Sequence, residues 1–375
     1  MSQERTLLQD GTHIINVATS SRSYEVIVGA GLLESLGERI AELASSDIVF
    51  VVSDTNVAPR YLDRVFASLA SVGFATGSVV VEAGERHKTL ATYGRILTAM
   101  AEAELTRSSL VVALGGGVVG DMAGFAAATY MRGIRVVQVP TTLLSMVDSS
   151  VGGKTAIDLE GCGKNLVGAF LQPSLVLADV ETLRTLEPDV FVDGIGEVVK
   201  HAVLADPTLF DELCARPLKQ DEDPAYLAQV VARNVAIKRD VVATDERELG
   251  LRQTLNLGHT LGHAIEAASG YRLGHGHCVA VGLCCIARAA ERLGWADSGL
   301  SDAIASCTRA QGLPTTTDLA PNVIFTQATH DKKRHGTTVN VVVPERIGSV
   351  SLRTISLDEL RTLTELGCGH VGSEG

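Results

Sequence analysis

Positive charge is in short supply. The chain has 32 Lys and Arg against 44 Asp and Glu, a formal net charge of −12 and a pI near 5.3. A surface of that sign gives no overall footprint for nucleic acid or for an anionic membrane. An apolar amino-terminal run is missing too: "MSQERTLLQDGTH" is polar, so no secretory signal is expected. No long hydrophobic run is uninterrupted. The stretch from Leu110, "LVVALGGGVVGDMAGFAAATYM", carries Asp121 and several glycines, and reads as buried strand, glycine turn and helix instead of a membrane span. The 7 cysteines are scattered, odd in number and without CxxC spacing, which predicts reduced core residues in a cytosolic protein. Internal repeats and low-complexity segments are absent from the sequence.

What remains is an ordinary globular composition, 46% hydrophobic and 20% charged, over 375 residues. That length accommodates two domains. In the first half, short β-rich runs alternate with amphipathic ones: "YEVIV" with "LLESLGERIAEL", "IVFVVSD" with "YLDRVFASLA", "GSVVVE" with "TYGRILTAMAEAE", "LVVALGGG" with "GDMAGFAAATYM", followed by "RVVQVP" and "SLVLAD". Such alternation predicts a mostly parallel, Rossmann-like sheet with helices on both faces, hence an α/β domain over residues 1–180. Beyond it, helical periodicity dominates in "FVDGIGEVVKHAVL", "YLAQVVARNVAIKRDVV", "LRQTLNLGHTLGHAIEAA" and "CVAVGLCCIARAAERLG". A mainly α-helical second domain is expected over residues 181–375, with a late hairpin in "TTVNVVVPERIGSVSLRTI" and a frayed tail "GCGHVGSEG".

Three features carry chemistry. The first is "GGGVVG", Gly115 to Gly120, which follows an apolar strand and opens a helix. Glycines let backbone N–H groups approach a pyrophosphate, and a helix N-terminus favours its charge; a tight turn with close packing is the plainer alternative. Asp54 and Asn56 in "SDTN" end an earlier strand, where such sheets carry ligand contacts or merely a turn. The second is a concentration of imidazole: His259, His263, His275 and His277 are four of the 10 histidines. His259 and His263 stand one helical turn apart, and His275 follows the turn "SGYRLG" and can fold back. With Glu197 in "GIGEVVKHA" they offer ligands to a catalytic metal, although spacing alone does not say which histidines bind. The third is a set of cations beside glycine or apolar residues, in "YMRG", "VGGKTAI", "GKNLVGAF", "EVVKHA", "AIKRD", "GLRQTLN" and "HDKKRHG". Any one suits a solvated face; together they suit a small substrate bearing phosphate and carboxylate.

These residues strongly resemble the 3-dehydroquinate synthase family of sugar phosphate cyclases, through "GGGVVGDMAGFAAATYMRG", "VQVPTTLLSMVDSSVGGKTAI", "GKNLVGAFLQP", "GIGEVVKHAV", "DERELGLRQTLNLGHTLGHAIE" and "HGHCVAVG". The resemblance runs from about Asp54 to Lys333. It implies an NAD-binding domain, a helical metal domain carrying zinc or cobalt, and a cytoplasmic homodimer. By position Glu197, His259 and His275 correspond to the metal ligands, which replaces the spacing-based pair and leaves His263 as an active-site group. Arg252 and Lys238 match holders of the substrate carboxylate; Lys154, Asn165, Asn256, His263 and one of Lys332 and Lys333 match the phosphate side. Arg132 matches an arginine that reaches the neighbouring subunit's site, and Asp148, Lys164 and Lys200 match further substrate-facing positions. For NAD the matching residues are Asp54, Asn56, Glu85, Lys88, Gly116, Gly117, Asp121, Thr141 and Thr142.

The implied reaction converts 3-deoxy-D-arabino-heptulosonate 7-phosphate to 3-dehydroquinate and phosphate, a shikimate-pathway step towards aromatic amino acids. NAD would oxidise a metal-held hydroxyl, phosphate would leave by β-elimination and help take the proton, the hydride would return, and an intramolecular aldol would close the ring. Two positions depart from the common pattern: His277 stands where members often have glutamate, and His201 where an aromatic often follows the lysine. Rival expectations are an aminodehydroquinate or 2-deoxy-scyllo-inosose synthase, a metal-dependent polyol dehydrogenase and an inactive cofactor-binding regulator. The pair Arg252 and Lys238 disfavours the inosose reading, and the lysines of "VGGKTAI" and "GKNLVGAF" disfavour the dehydrogenase.

Overall fold

Alternate residues of the buried strands point to opposite faces, and that alone builds a three-layer first unit. The computed structural model describes residues 5–43, 48–330 and 336–368. In chain order the strands are β1 (Arg5–Leu7), β2 (His13–Ala18), β3 (Ser23–Gly29), β4 (Ile48–Asp54), β5 (Ala75–Val81), β6 (Leu110–Gly115), β7 (Arg135–Pro140), β8 (Lys154–Leu159), β9 (Gly163–Phe170), β10 (Leu175–Asp179), β11 (Thr338–Arg346) and β12 (Ser349–Ser356). The helices are α1 (Leu36–Ala41), α2 (Ala58–Ser71), α3 (Leu90–Glu102), α4 (Gly117–Thr129), α5 (Pro188–Ala205), α6 (Pro207–Ala215), α7 (Pro224–Thr244), α8 (His259–Ala268), α9 (His275–Arg292), α10 (Leu300–Ala310), α11 (Pro321–His330) and α12 (Leu357–Cys368).

The main sheet runs β1-β2-β3-β10-β7-β6-β4-β5. From β3 to β5 its pairings are parallel, and β1–β2–β3 form an antiparallel edge. Val49 and Val51 of β4, Leu110 and Val112 of β6, and Val137 and Val139 of β7 pack on one face with Leu36, Ile40, Val65 and Leu69 from α1 and α2. Phe50, Val52, Val111, Ala113 and Val136 pack on the other with Ile96 and Met100 of α3 and Met122, Ala123 and Ala126 of α4. The α/β class expected from the sequence is therefore present, with both sheet faces covered. The β8–β9 hairpin, which alternation of apolar runs did not reveal, packs beside α4.

Two compact units emerge: residues 1–186 with 221–247, and residues 187–220 with 248–375. The chain thus passes between them at three points. Helix α7, expected in the second domain, packs instead against β2 and β3 of the first. Its periodicity marks an apolar face and says nothing about which core covers it.

In the second unit α9 is the central helix, packed by α5, α8, α10 and α12, and Cys278 to Ala287 along it are buried on every side. The β11–β12 hairpin forms as expected. Of the 7 cysteines five are buried and all are free, whereas Cys162 and Cys214 are exposed, against the expectation of core positions. The tail beyond Cys368 and the lysines Lys332 and Lys333 lie outside the described residues. Among the described residues no helix is long and apolar enough to cross a membrane.

Candidate active site

The first unit gathers its polar groups at the carboxyl ends of β4, β6 and β7, where open α/β sheets bind ligands. Asp54 closes β4; its Oδ1 accepts from the backbone N–H of Asn56 at 2.8 Å and of Val57 at 3.0 Å, so its carboxylate shapes the turn into α2. Gly116 caps α4, whose first residue is Gly117. The glycine loop also serves packing: a Cβ on Gly120 would come within 2.8 Å of Gln138 Oε1. Thr141 and Thr142 follow β7, Thr141 donating its N–H to the carbonyl of Gly115 at 3.0 Å.

Lys88, only 3% exposed, ties two groups of expected residues together. Its Nζ donates to Asp121 at 2.5 Å and to Asn165 Oδ1. Burial works against the Lys88 charge, but Asp121, Glu85 and Asp158 outweigh it and hold the ammonium above its ordinary range. Lys164 reaches Glu85 at 3.2 Å, and the N–H of Asn165, at a left-handed φ of 56°, donates to Asp158 at 2.8 Å. The positions matched to NAD and those matched to substrate on β9 therefore form one polar cluster. Lys154, at the start of β8, is exposed. Helix α7 brings Lys238, 5% exposed, to Asp148, whose carbonyl accepts at 2.6 Å and whose Oδ1 accepts at 2.8 Å. Arg132 is exposed in the turn after α4.

The second unit holds the histidines. Helix α5 runs through the core, so Glu197 is 0% and Lys200 1% exposed, and the two form an ion pair one turn apart. The backbone at Gly258, φ 78°, ends the short turn Leu251–Asn256 and starts α8, which splits the single helix expected for "LRQTLNLGHTLGHAIEAA" and leaves His259 at its first position. The loop after α8 returns the chain, and His275 opens α9. His259 Nε2 and His275 Nε2 stand 3.6 and 3.5 Å from Glu197 Oε1. The other ring nitrogens are anchored: His259 Nδ1 on the Leu257 carbonyl at 3.1 Å, His275 Nδ1 on Glu266 at 3.2 Å. Anchoring of this kind leaves Nε2 as the free ligand atom. His263 is exposed, its ring 5.0 Å from that of His259 and 5.5 Å from that of His275, and ring nitrogens of the three histidines lie within 4.8 Å of one another.

Burial pushes His259 well below the ordinary imidazole range. It acts the same way on His275, but Glu197 and Glu266 overcome it and push that ring up to about 10. Glu197 stays well below the carboxylate range because Lys200 and the two rings outweigh its burial. A divalent cation fits this donor set. Glu197 Oε1 is fully buried with no hydrogen-bond donor of its own, and two imidazoles face it with their second nitrogens already committed. Arg252 is 1% exposed, and Asn256 donates its amide to Glu248 at 2.9 Å.

Four acidic residues escaped the sequence reading. Glu266 orients His275, and its signal was its place seven residues after His259 on one helix face. Glu248, at φ 61°, holds Asn256. Asp193 holds the ring of His277 at 2.8 Å and thereby keeps His277 above its ordinary range. Glu246 accepts from Gln172 at 3.0 Å and from Ser20 and Ser21.

Comparison with known proteins gives the family. Residues 78–193 match the family model described as 3-dehydroquinate synthase N-terminal, and residues 194–334 its C-terminal counterpart. A 3-dehydroquinate synthase of Gloeobacter violaceus is 47% identical over 340 residues, 90% of this chain and 94% of that protein. That of Citrifermentans bemidjiense is 44% identical over 358 residues, 95% and 98% of the two chains. Among solved structures, a 2-deoxy-scyllo-inosose synthase complexed with carbaglucose-6-phosphate, NAD+ and Co2+ has a TM-score of 0.84 at 25% identity over 94% of this chain and 100% of that one. The 2-epi-5-epi-valiolone synthase of Streptomyces hygroscopicus, with NAD+ and Zn2+, has a TM-score of 0.82 at 26% identity over 93% and 98%. An iron-containing alcohol dehydrogenase at 14% identity and a TM-score of 0.61 shares the fold. On the strength of both matched halves and of relatives covering nearly its whole length, the chain belongs to the 3-dehydroquinate synthase family.

Proposed function

We propose that this chain converts 3-deoxy-D-arabino-heptulosonate 7-phosphate to 3-dehydroquinate and phosphate, using NAD and a divalent metal, zinc or cobalt. The observation that carries this reading is identity of 41–47% to proteins bearing that activity as their name, over 88–95% of this chain. The step belongs to the shikimate pathway, and the enzyme works as a cytoplasmic homodimer.

When bound, NAD supplies reversible oxidation at a substrate carbon and the metal polarises the hydroxyl there. Glu197, His259 and His275 hold the metal: the Nε2 atoms of both rings face the buried Glu197 Oε1, and His263, whose ring nitrogen also lies close by, is left to the substrate phosphate. Lys200 fixes the second oxygen of Glu197 and keeps the carboxylate ionised. Asp54, Asn56, Gly116, Gly117, Thr141 and Thr142 line the cofactor's side of the sheet, with Glu85, Lys88 and Asp121 braced as one cluster. Lys238, aimed by Asp148, and Arg252 take the substrate carboxylate. Lys154, Asn165, Asn256, His263 and Lys333 balance the phosphate as it leaves, Lys164 faces the substrate, and Arg132 completes the partner subunit's site. Charge placed in advance at the leaving group and the carboxylate orients the substrate without reorganisation during the reaction.

The test is substrate choice with metal control. Metal-free protein with NAD should release no phosphate until Zn2+ or Co2+ is added, and mass spectrometry should then find 3-dehydroquinate. Glucose 6-phosphate, whose carba analogue occupies the inosose synthase structure, should give no release. Turnover of glucose 6-phosphate and not of the heptulosonate would overturn the reading.

A further inference from the structure

Helix α9 begins without a cap of its own. Its N-cap is Gly274, which has no side chain to accept the first-turn N–H groups that every α-helix leaves unpaired. A residue of another helix does so. Asp193 of α5 accepts at a single oxygen, Oδ1, from the backbone N–H of His277 at 2.9 Å and from its ring Nδ1 at 2.8 Å. Around this clip the two backbones touch. A Cβ on Gly276 would lie 1.8 Å from the carbonyl oxygen of Asp193, and one on Gly196 would lie 2.2 Å from the carbonyl oxygen of Gly276. No side chain cushions this crossing, so a shift of either helix is passed directly to the residues beside it.

Those residues are the metal pair. Glu197 follows Asp193 by one turn of α5, and His275 shares the first turn of α9 with His277. We infer that Asp193, through His277, is a positioning residue that sets the spacing of Glu197 Oε1 and His275 Nε2 and so sets metal affinity. The inference rests on the metal reading given above. Metal sites tolerate ligand errors of only about 0.2 Å, which is why a clip one turn away matters.

The experiment measures Co2+ affinity by chelator competition and the visible absorption of the Co2+ protein, with the melting temperature of the metal-free form as a check on folding. Asp193→Ala should weaken Co2+ binding by about 10–100-fold and alter the absorption band while the metal-free melt persists. Asp193→Asn keeps an oxygen acceptor and should restore both. His277→Ala keeps the backbone bond, loses the ring bond and should fall between them. Wild-type affinity and spectrum in Asp193→Ala would overturn the inference, as would Asp193→Asn behaving like alanine. If Asp193→Ala does not fold, His277→Ala decides, and an unchanged affinity there overturns it. Failure of the metal reading itself looks different: wild-type protein would take up no Co2+, or Glu197→Gln would bind it unchanged.

Discussion

Lys200 and Glu197 form an ion pair at 1% and 0% exposure, one turn apart on the same helix. Neither charge has water to fall back on. Removing the cation leaves a carboxylate buried with only His275 to balance it, and breaking such a pair typically costs about 3–5 kcal/mol. Lys200→Met should lower the unfolding free energy of the metal-free protein by about 3 kcal/mol, the low end, because the cationic His275 remains. Saturating Zn2+ should recover part of that loss, since a ligand bound only by the folded state stabilises it. Equal urea midpoints for metal-free wild type and variant would contradict this.

Arg252 is almost wholly buried, yet it is assigned to the substrate carboxylate. A hydrogen bond to a charged group is worth about 1.5–3 kcal/mol. Arg252→Ala should therefore lower kcat/KM by about 10–100-fold, chiefly through KM. Unchanged KM in steady-state kinetics would remove the assignment.

Lys88 braces Asp121 and Asn165 together. Lys88→Met should strand the Asp121 carboxylate and raise the Kd for NAD by about tenfold or more, a loss of one charge-assisted contact. Fluorescence titration with NAD at constant metal reads this; an unaltered Kd would limit Lys88 to holding the β8–β9 hairpin.

Glu246 gives the pH dependence. Burial would raise its carboxyl, but the hydroxyls of Ser20 and Ser21 and the Gln172 amide pull it down to about 2, below its ordinary value of 4.5. A depressed folded-state value means stability that is complete above pH 4.5 and lost as pH falls towards 2. Wild type should melt above Glu246→Gln at pH 7, and the gap should close steadily between pH 4.5 and 3. A gap that widens on acidification would reverse the sign of this argument.

Part of the candidate site's grouping was legible in the sequence because its chemistry clusters along the chain. The turn after α8 brings His275 back towards His259, and a strand ending in Gly115 feeds α4 as the apolar run and glycines require. What escaped reading depends on three-dimensional burial. Nothing local in the sequence shows that Lys200 is paired with Glu197. The residues of α7 announce a helix but not the sheet it covers. Glu266, Glu248 and Asp193 did not stand out in the sequence, and only the fold shows them holding His275, Asn256 and His277. His277, unexplained by its sequence context, proves to be paired with Asp193.

The most direct test follows phosphate release from 3-deoxy-D-arabino-heptulosonate 7-phosphate with NAD and zinc or cobalt present, while NADH absorbance is recorded. The account predicts steady phosphate release with no net NADH, because the hydride taken from the substrate returns within each turnover. Lasting NADH formed from an unphosphorylated polyol, without phosphate release from the heptulosonate, would contradict it.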